Sequence, residues 1–372
     1  MNIGIDVKSL SKAYTGIAVY VCEIIRYFNE IDCEDQFYLY SNKEIKLPFS
    51  LKDNFHIIVY SSRIGSFGVM FKLPALLKMH GIDVFWAPEH IVPLLPTKCK
   101  IVVTIHDLAV LVKPQLGTKF NAFLQRVFTI PSIRRADKVV AISKSTATDI
   151  LKYANVSSDK IQVIYNGDSP YRNVVHDFTD DEEQEISKKY SLDEPYFLFV
   201  GTIEPRKNIP TIVKAFDLFK KQYGGKEKLV LAGGLGWRYK ESMKSIKKSP
   251  YKNDIVLTGY CSALEKEYFY KNAIALVFPS LYEGFGFPIL ESFSLGTPVI
   301  TARNSSLEEV GGMYAVYIDD ALDSNGLKVR MYEVSCQNDP EKSSQYKAWS
   351  KRFSRKVCAS EMLNLFHNIV KS

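Results

Sequence analysis

Glu283-Gly284-Phe285-Gly286-Phe287-Pro288-Ile289-Leu290-Glu291 sets two carboxylates around a glycine turn, directly after an apolar run from Ala273 to Pro279. The order of residue types reads strand, loop, helix. Pro288 suits the first helical position, where its missing N–H would have no intrahelical partner. The N–H groups of that turn, with those of Gly284 to Gly286, then face the carboxyl edge of a sheet, and a helix start so placed binds phosphate. Glu283 falls in the loop and Glu291 early in the helix, both within reach of a polyhydroxylated ligand. Taken alone, Glu291 serves as well to complement the helix dipole, worth about 0.3–1 kcal/mol, and Gly284-Phe285-Gly286 is as well a tight turn.

Upstream, Tyr196-Phe197-Leu198-Phe199-Val200 is a continuous aromatic and aliphatic run, the pattern of a strand buried on both faces. It ends in Gly201-Thr202-Ile203-Glu204-Pro205-Arg206-Lys207-Asn208, before an amphipathic segment that begins at Ile209. Packing gives no reason for two adjacent cations there. They are either a solvated pair or phosphate ligands, Arg206 through its planar fork and Lys207 as a mobile point charge.

These stretches, with Leu257-Thr258-Gly259-Tyr260 and Gly296-Thr297-Pro298-Val299, resemble the group-1 family of retaining glycosyltransferases over nearly the whole chain, most closely from Pro195 to Asp319. The resemblance implies an α/β chain of two facing Rossmann-like domains (the GT-B architecture), with a cleft between them and a C-terminal helix crossing back to the first domain. It also implies a nucleotide-sugar donor and a saccharide or lipid-linked saccharide acceptor. Arg206, Lys207 and the N–H groups of Gly284–Pro288 would then stabilise charge on the departing diphosphate. Glu283 would bind donor-sugar hydroxyls and Glu291 the ribose, with Gly16, Gly201, Gly259, Tyr260, Gly284, Phe285 and Gly286 shaping the donor site. No carboxylate stands out as a covalent nucleophile, so the implied route is same-face attack with the leaving phosphate as base. GDP-mannose is one donor that bacterial relatives use.

Seven strand-like runs between Met1 and Tyr165, and six between Tyr196 and Ile318, alternate with helical patterns, which predicts parallel sheets flanked by helices. The domains read as residues 1–175 for the acceptor, an acid-rich linker at 176–194, 195–345 for the donor and a crossing helix at 346–372. Ligands of such sheets bind beyond the carboxyl ends of the strands. In the first half, Ile101–Ile105 exits into His106-Asp107, which reads as a helix cap beside a satisfied histidine. By the family resemblance, a histidine at this exit instead approaches the donor sugar. Asp107 either orients His106 or caps the next turn. Val84–Trp86 leads to Glu89, a candidate acceptor contact. Ser143 is a helix N-cap or a ligand contact, and Asn166-Gly167 is a turn that is similar to the family's cleft pair. Asp168 departs from the family spacing and carries no role. Around Gly16, Ala18 and Val19 replace the family's glycine and arginine, a departure that marks a different acceptor.

The chain has 372 residues, 46% hydrophobic and 24% charged, with a net charge of +7, a globular composition long enough for two domains. No apolar stretch is long enough to span a membrane, and Met1–Asp6 reads as a strand rather than a signal peptide, so the expected location is the cytoplasm. Six cysteines without metal or redox spacing read as reduced thiols. No two aspartates are separated by a single residue, so no metal or other cofactor is expected. Arg63–Met79 and Lys119–Lys138 mix cations with large apolar residues. They are core-packing helices with a solvated face, or they attach the protein peripherally to an anionic membrane surface. No recognition motif supports nucleic acid as a partner. A nucleotide-sugar epimerase or hydrolase on the same fold, and a two-lobed ligand-binding protein, are the rival readings.

Overall fold

Each of the thirteen apolar runs forms a strand. A computed structural model describes residues 1–11, 16–31, 34–60, 66–167, 176–337 and 340–371, with backbone alone at 66–71 and 340. The loop at Ala13–Thr15, Cys33, Arg63 and Asp168 lie outside the described residues. Two compact units result, Met1–Gly167 with Phe353–Ser372, and Asp168–Arg352.

The first unit contains β1 (Asn2–Asp6), β2 (Gln36–Ser41), β3 (Phe55–Val59), β4 (Val84–Ala87), β5 (Lys100–Ile105), β6 (Lys138–Ala141) and β7 (Ile161–Val163). They form one parallel sheet in the order β3-β2-β1-β4-β5-β6-β7. One face packs on the helix Gly16–Glu30 and the C-terminal helix Arg355–Lys371, in a core that gathers Phe28, Phe37, Trp86, Met362 and Phe366. The other face takes Leu73, Leu77, Ile133 and Ile150 from the helices Ser66–Met79, Ile130–Arg135 and Lys144–Ala154.

The second unit contains β8 (Tyr196–Val200), β9 (Lys228–Ala232), β10 (Ile255–Gly259), β11 (Ala275–Phe278), β12 (Val299–Ala302) and β13 (Val316–Ile318), parallel and ordered β10-β9-β8-β11-β12-β13. Every residue of β8, β11 and β12 is buried, as continuous apolar runs require.

Two segments differ in detail from their sequence reading. The acid-rich stretch holds a helix, Asp180–Tyr190, because Thr179 and Glu182 form a reciprocal capping box and four acids occupy its first turn. The expected terminal helix is two. Pro340–Ser350 stays with the second unit, where Tyr346 stacks on Phe293 at 5.1 Å. After a turn, Arg355–Lys371 joins the first.

Candidate functional site

A doubly wound parallel sheet binds ligands where its strand order reverses, beyond the carboxyl ends. In the second unit that place lies between β8 and β11, neighbours in the sheet though far apart in the chain. After β8, Pro205–Lys207 makes one 3-10 turn ending at Asn208. The Asn208 amide donates to the carbonyls of Pro279 (3.0 Å) and Ala321 (2.6 Å), fastening this turn to the chain leaving β11. Three predicted residues meet here. Lys207 Nζ donates to Glu283 Oε1 at 2.6 Å and lies 4.7 Å from the centre of the Phe278 ring. Arg206 Nη1 donates to Glu283 Oε2 at 2.6 Å, and its Nε and Nη2 contact Glu204 Oε1 at 3.0 and 2.9 Å.

Glu283 and Lys207 are buried while Arg206 is half-buried. Burial alone would push the Glu283 carboxyl up, but the adjoining Lys207 and Arg206 cations outweigh it and hold the group below the usual carboxylate range. The loop is held rigid through its backbone. Glu283 N donates to Ser305 Oγ (3.0 Å), and Ser306 Oγ donates to the carbonyls of Glu283 and Phe285 (2.9 and 2.8 Å). Gly284 and Phe285 are buried within it. Gly286, at φ 103°, caps the helix Phe287–Ser294 in a conformation that a side chain would resist. Phe287 takes the first helical position and Pro288 the second, one place later than its sequence suggests.

Glu291 lies in that helix, and both its oxygens are engaged from the helix Ala263–Asn272, by Lys266 Nζ (2.9 Å) and the Tyr270 hydroxyl (2.8 Å). Gly259 ends the edge strand β10 and Tyr260 beyond it is 92% exposed. Gly201 pairs through its N–H with Ala232 O. Sequence reasoning passed over Gly233-Gly234-Leu235-Gly236, which leaves β9 and lies against the β8 exit. Gly233 has φ +150°, and a Cβ there would stand 2.1 Å from Gly201 O. A glycine-rich run directly after an apolar strand was the signal.

The first unit reverses its order between β1 and β4, and there too a charged cluster forms. Lys8 Nζ contacts Asp6 Oδ2 at 2.9 Å and Glu89 Oε2 at 3.6 Å. Burial would lower the Lys8 pKa, but the two carboxylates outweigh it and raise it, so the ammonium stays charged. Glu89 was expected at this edge; Asp6 and Lys8 were not. Gly16 opens its helix in an exposed position.

His106 is held between neighbours rather than by Asp107. Its Nε2 donates to Pro88 O (2.8 Å), its backbone N–H donates to His90 Nε2 (3.0 Å), and the two imidazoles stack at 5.6 Å. Asp107 caps the next turn by accepting from Ala109 N. Ser143 is the N-cap of Lys144–Ala154, accepting from Thr146 N. Asn166 is buried, and neither its amide oxygen nor its nitrogen has a hydrogen-bond partner among the described residues.

Burial first, then repulsion from His90, pushes His106 down to about 4 from an ordinary value of 6.5. The folded state therefore binds fewer protons than the unfolded chain between those values, so stability falls as pH drops through that window. The melting temperature is expected to decline from pH 6.5 towards pH 4, and His106→Gln to flatten the decline. An unchanged slope in the variant would assign the acid sensitivity to other groups.

Among the described residues no three His, Cys, Asp or Glu side chains gather as a metal site, and no helix is long and apolar enough to cross a membrane.

Two all-parallel α/β units, one carrying cations and a glycine-rich helix start at its switch point, have the architecture of a GT-B glycosyltransferase. Family comparisons agree with both halves. Residues 180–331 match the model described as glycosyl transferases group 1, and residues 14–168 match that of glycosyltransferase family 4. O-antigen chain mannosyltransferase B of Escherichia coli is 27% identical over 72% of this chain and 70% of its own length. The serotype-specific mannosyltransferase WbdA of Escherichia coli is 30% identical over 57% of this chain, a match that spans 26% of that longer protein. Among solved structures, Anabaena HepE in complex with UDP and glucose shares the fold, with a TM-score of 0.70 at 17% identity over 98% of each chain. The chain belongs to the group-1 glycosyltransferases.

Proposed function

We propose that this enzyme transfers mannose from GDP-mannose to a growing saccharide of a cell-surface polysaccharide, with retention at the anomeric carbon and without a metal ion. The observation that carries the reading is the Arg206–Lys207–Glu283 cluster at the β8 and β11 exits. Support for mannose comes from relatives named as O-antigen and serotype-specific mannosyltransferases. In the reaction the bond from the anomeric carbon to the diphosphate oxygen breaks. The acceptor hydroxyl oxygen bonds to that carbon from the same face, and its proton passes to the departing phosphate. Charge accumulating on the phosphate is met by Arg206 and Lys207, already positioned before the step. Each Glu283 oxygen has a lone pair beyond the one given to its cation, available to a donor-sugar hydroxyl.

A thermal-shift panel of GDP-mannose, UDP-glucose, UDP-galactose and ADP-glucose, with and without EDTA, tests the donor and the metal together. GDP-mannose at 100 times its Kd is expected to stabilise the protein by about 2.7 kcal/mol, and transfer to continue in EDTA with an α-linked product. A shift with a different nucleotide sugar would replace the donor. Loss of transfer in EDTA, restored by magnesium or manganese, would remove the metal-free mechanism, and an inverted product would remove retention.

Peripheral attachment to the cytoplasmic membrane face belongs to the same proposal. On the helix Lys119–Leu124 and the turn after it, Phe120, Phe123 and Val127 are exposed beside Lys119 and Arg126. Apolar residues set among cations suit an anionic leaflet. Sedimentation with phosphatidylglycerol vesicles, lost in Phe120→Ser/Phe123→Ser, is the expected result; equal sedimentation of the variant would exclude this helix as the contact.

A further inference from the structure

Glu291 is held by more than its own helix. The helix Ala263–Asn272 lends it two donors one turn apart, Lys266 Nζ at 2.9 Å from Oε1 and the Tyr270 hydroxyl at 2.8 Å from Oε2. A third link joins the same two helices: Thr297 Oγ1, shortly beyond Phe287–Ser294, donates to Tyr270 O at 2.6 Å. Packing does not ask for this arrangement. Phe269, the neighbour of Tyr270, is fully buried without a hydroxyl. The Glu291 and Lys266 side chains are only 11% and 25% exposed, and replacing such an ion pair by apolar residues of similar volume is often neutral or stabilising.

The contacts do give the carboxylate a definite chemistry. An ionised carboxylate only accepts, with two lone pairs on each oxygen. Lys266 and Tyr270 take one on each oxygen and leave one on each. With both oxygens tied, the plane of the group is set before a ligand arrives, which lowers the ordering cost of binding. Two fixed acceptors side by side suit two hydroxyl donors on adjacent carbons. In a nucleotide that is the 2′,3′-diol of the ribose.

We propose that Tyr270 and Lys266 are positioning residues for nucleotide recognition: by fixing both Glu291 oxygens they aim the carboxylate at the ribose diol and set a preference for a ribonucleotide over its 2′-deoxy counterpart. That the ligand is a nucleotide rests on the glycosyl-transfer reading; that Glu291 is pinned rests on the contacts.

Isothermal titration calorimetry with GDP, UDP and ADP, each beside its 2′-deoxy form, tests it on wild type, Tyr270→Phe, Lys266→Met, Lys266→Arg and Glu291→Gln. Wild type is expected to bind its ribonucleotide more tightly than the deoxy form by a factor of about 10 or more, the worth of one hydrogen bond to a charged acceptor. The ratio should fall towards unity in Tyr270→Phe, Lys266→Met and Glu291→Gln, and recover in Lys266→Arg. In the transfer assay the donor KM of Tyr270→Phe should rise while its acceptor KM holds. A merely structural tyrosine would instead lower the folded fraction, followed by circular dichroism, and leave both KM values in place.

A wild-type ratio in Tyr270→Phe or Lys266→Met, where Glu291→Gln loses it, would strip that residue of the role and keep the ribose contact. No preference in wild type, or one that survives Glu291→Gln, would overturn the contact and the proposal while leaving nucleotide binding intact. Binding of none of these nucleotides by wild type would remove the glycosyl-transfer reading and the proposal with it.

Discussion

Lys207→Ala is expected to lower turnover by a factor of about 10²–10³, the usual loss when one donor aimed at developing charge is removed. The lysine stands at the exit of β8, its ammonium 2.6 Å from Glu283 and almost wholly buried. A second loss accompanies the first. Removing one partner of a buried ion pair costs about 3–5 kcal/mol, because the charge left behind has lost its compensation. Here Arg206 still contacts Glu283 at 2.6 Å, so the stability loss should fall towards the lower end. Arg206→Ala should reduce turnover similarly with a smaller stability change, since its side chain is 24% exposed. The check is turnover per folded molecule, with folding followed by circular dichroism. Near-normal turnover in both single variants would detach the cluster from the leaving group and reduce it to a structural ion pair.

Phe366→Ala should destabilise the first unit by about 3–5 kcal/mol, the cost of emptying a buried phenylalanine site. Phe366 is fully buried, with ring centroids 6.3 Å from Phe28 and 5.9 Å from Trp86. It belongs to the same core as β1 and the helix Gly16–Glu30, although the whole second unit separates them in the chain. Amide hydrogen exchange localises the effect. Protection should fall across Asn2–Asp6 and Gly16–Glu30 and persist across the helix Ile209–Tyr223. Equal loss in both units, or none in the first, would mean that the terminal helix is not integral to the first core.

The strands were legible because a strand covered on both faces must be apolar throughout, and β8, β11 and β12 are. Arg206 and Lys207 were legible because charge directly after such a strand has no packing explanation. Their pairing with Glu283 was not. It depends on β8 lying beside β11, an adjacency between strands that do not follow one another in the chain. The same limit hid Asp6 and Lys8, which meet Glu89 only because β1 lies beside β4. At Asp107 and Ser143, where spacing left two roles open, the side chains accept from the N–H groups of the following helical turns. The helix at Asp180–Tyr190 was obscured by its acidity, although Thr179 and Glu182 carried a capping signal in plain view.

The terminal helix also has a bearing on how the protein is made. Met362, Phe366 and Ile369 complete a core whose other part, from Ile3 to Ile164, is translated earlier. Between them the whole second unit must be translated. At about 5–20 residues per second, the early part waits on the order of ten seconds or more with the place of Arg355–Lys371 beside the helix Gly16–Glu30 still empty. The second unit has all its strands and helices in one continuous stretch and can close as it emerges. The unit whose chain begins first is thus the one whose core can be completed last.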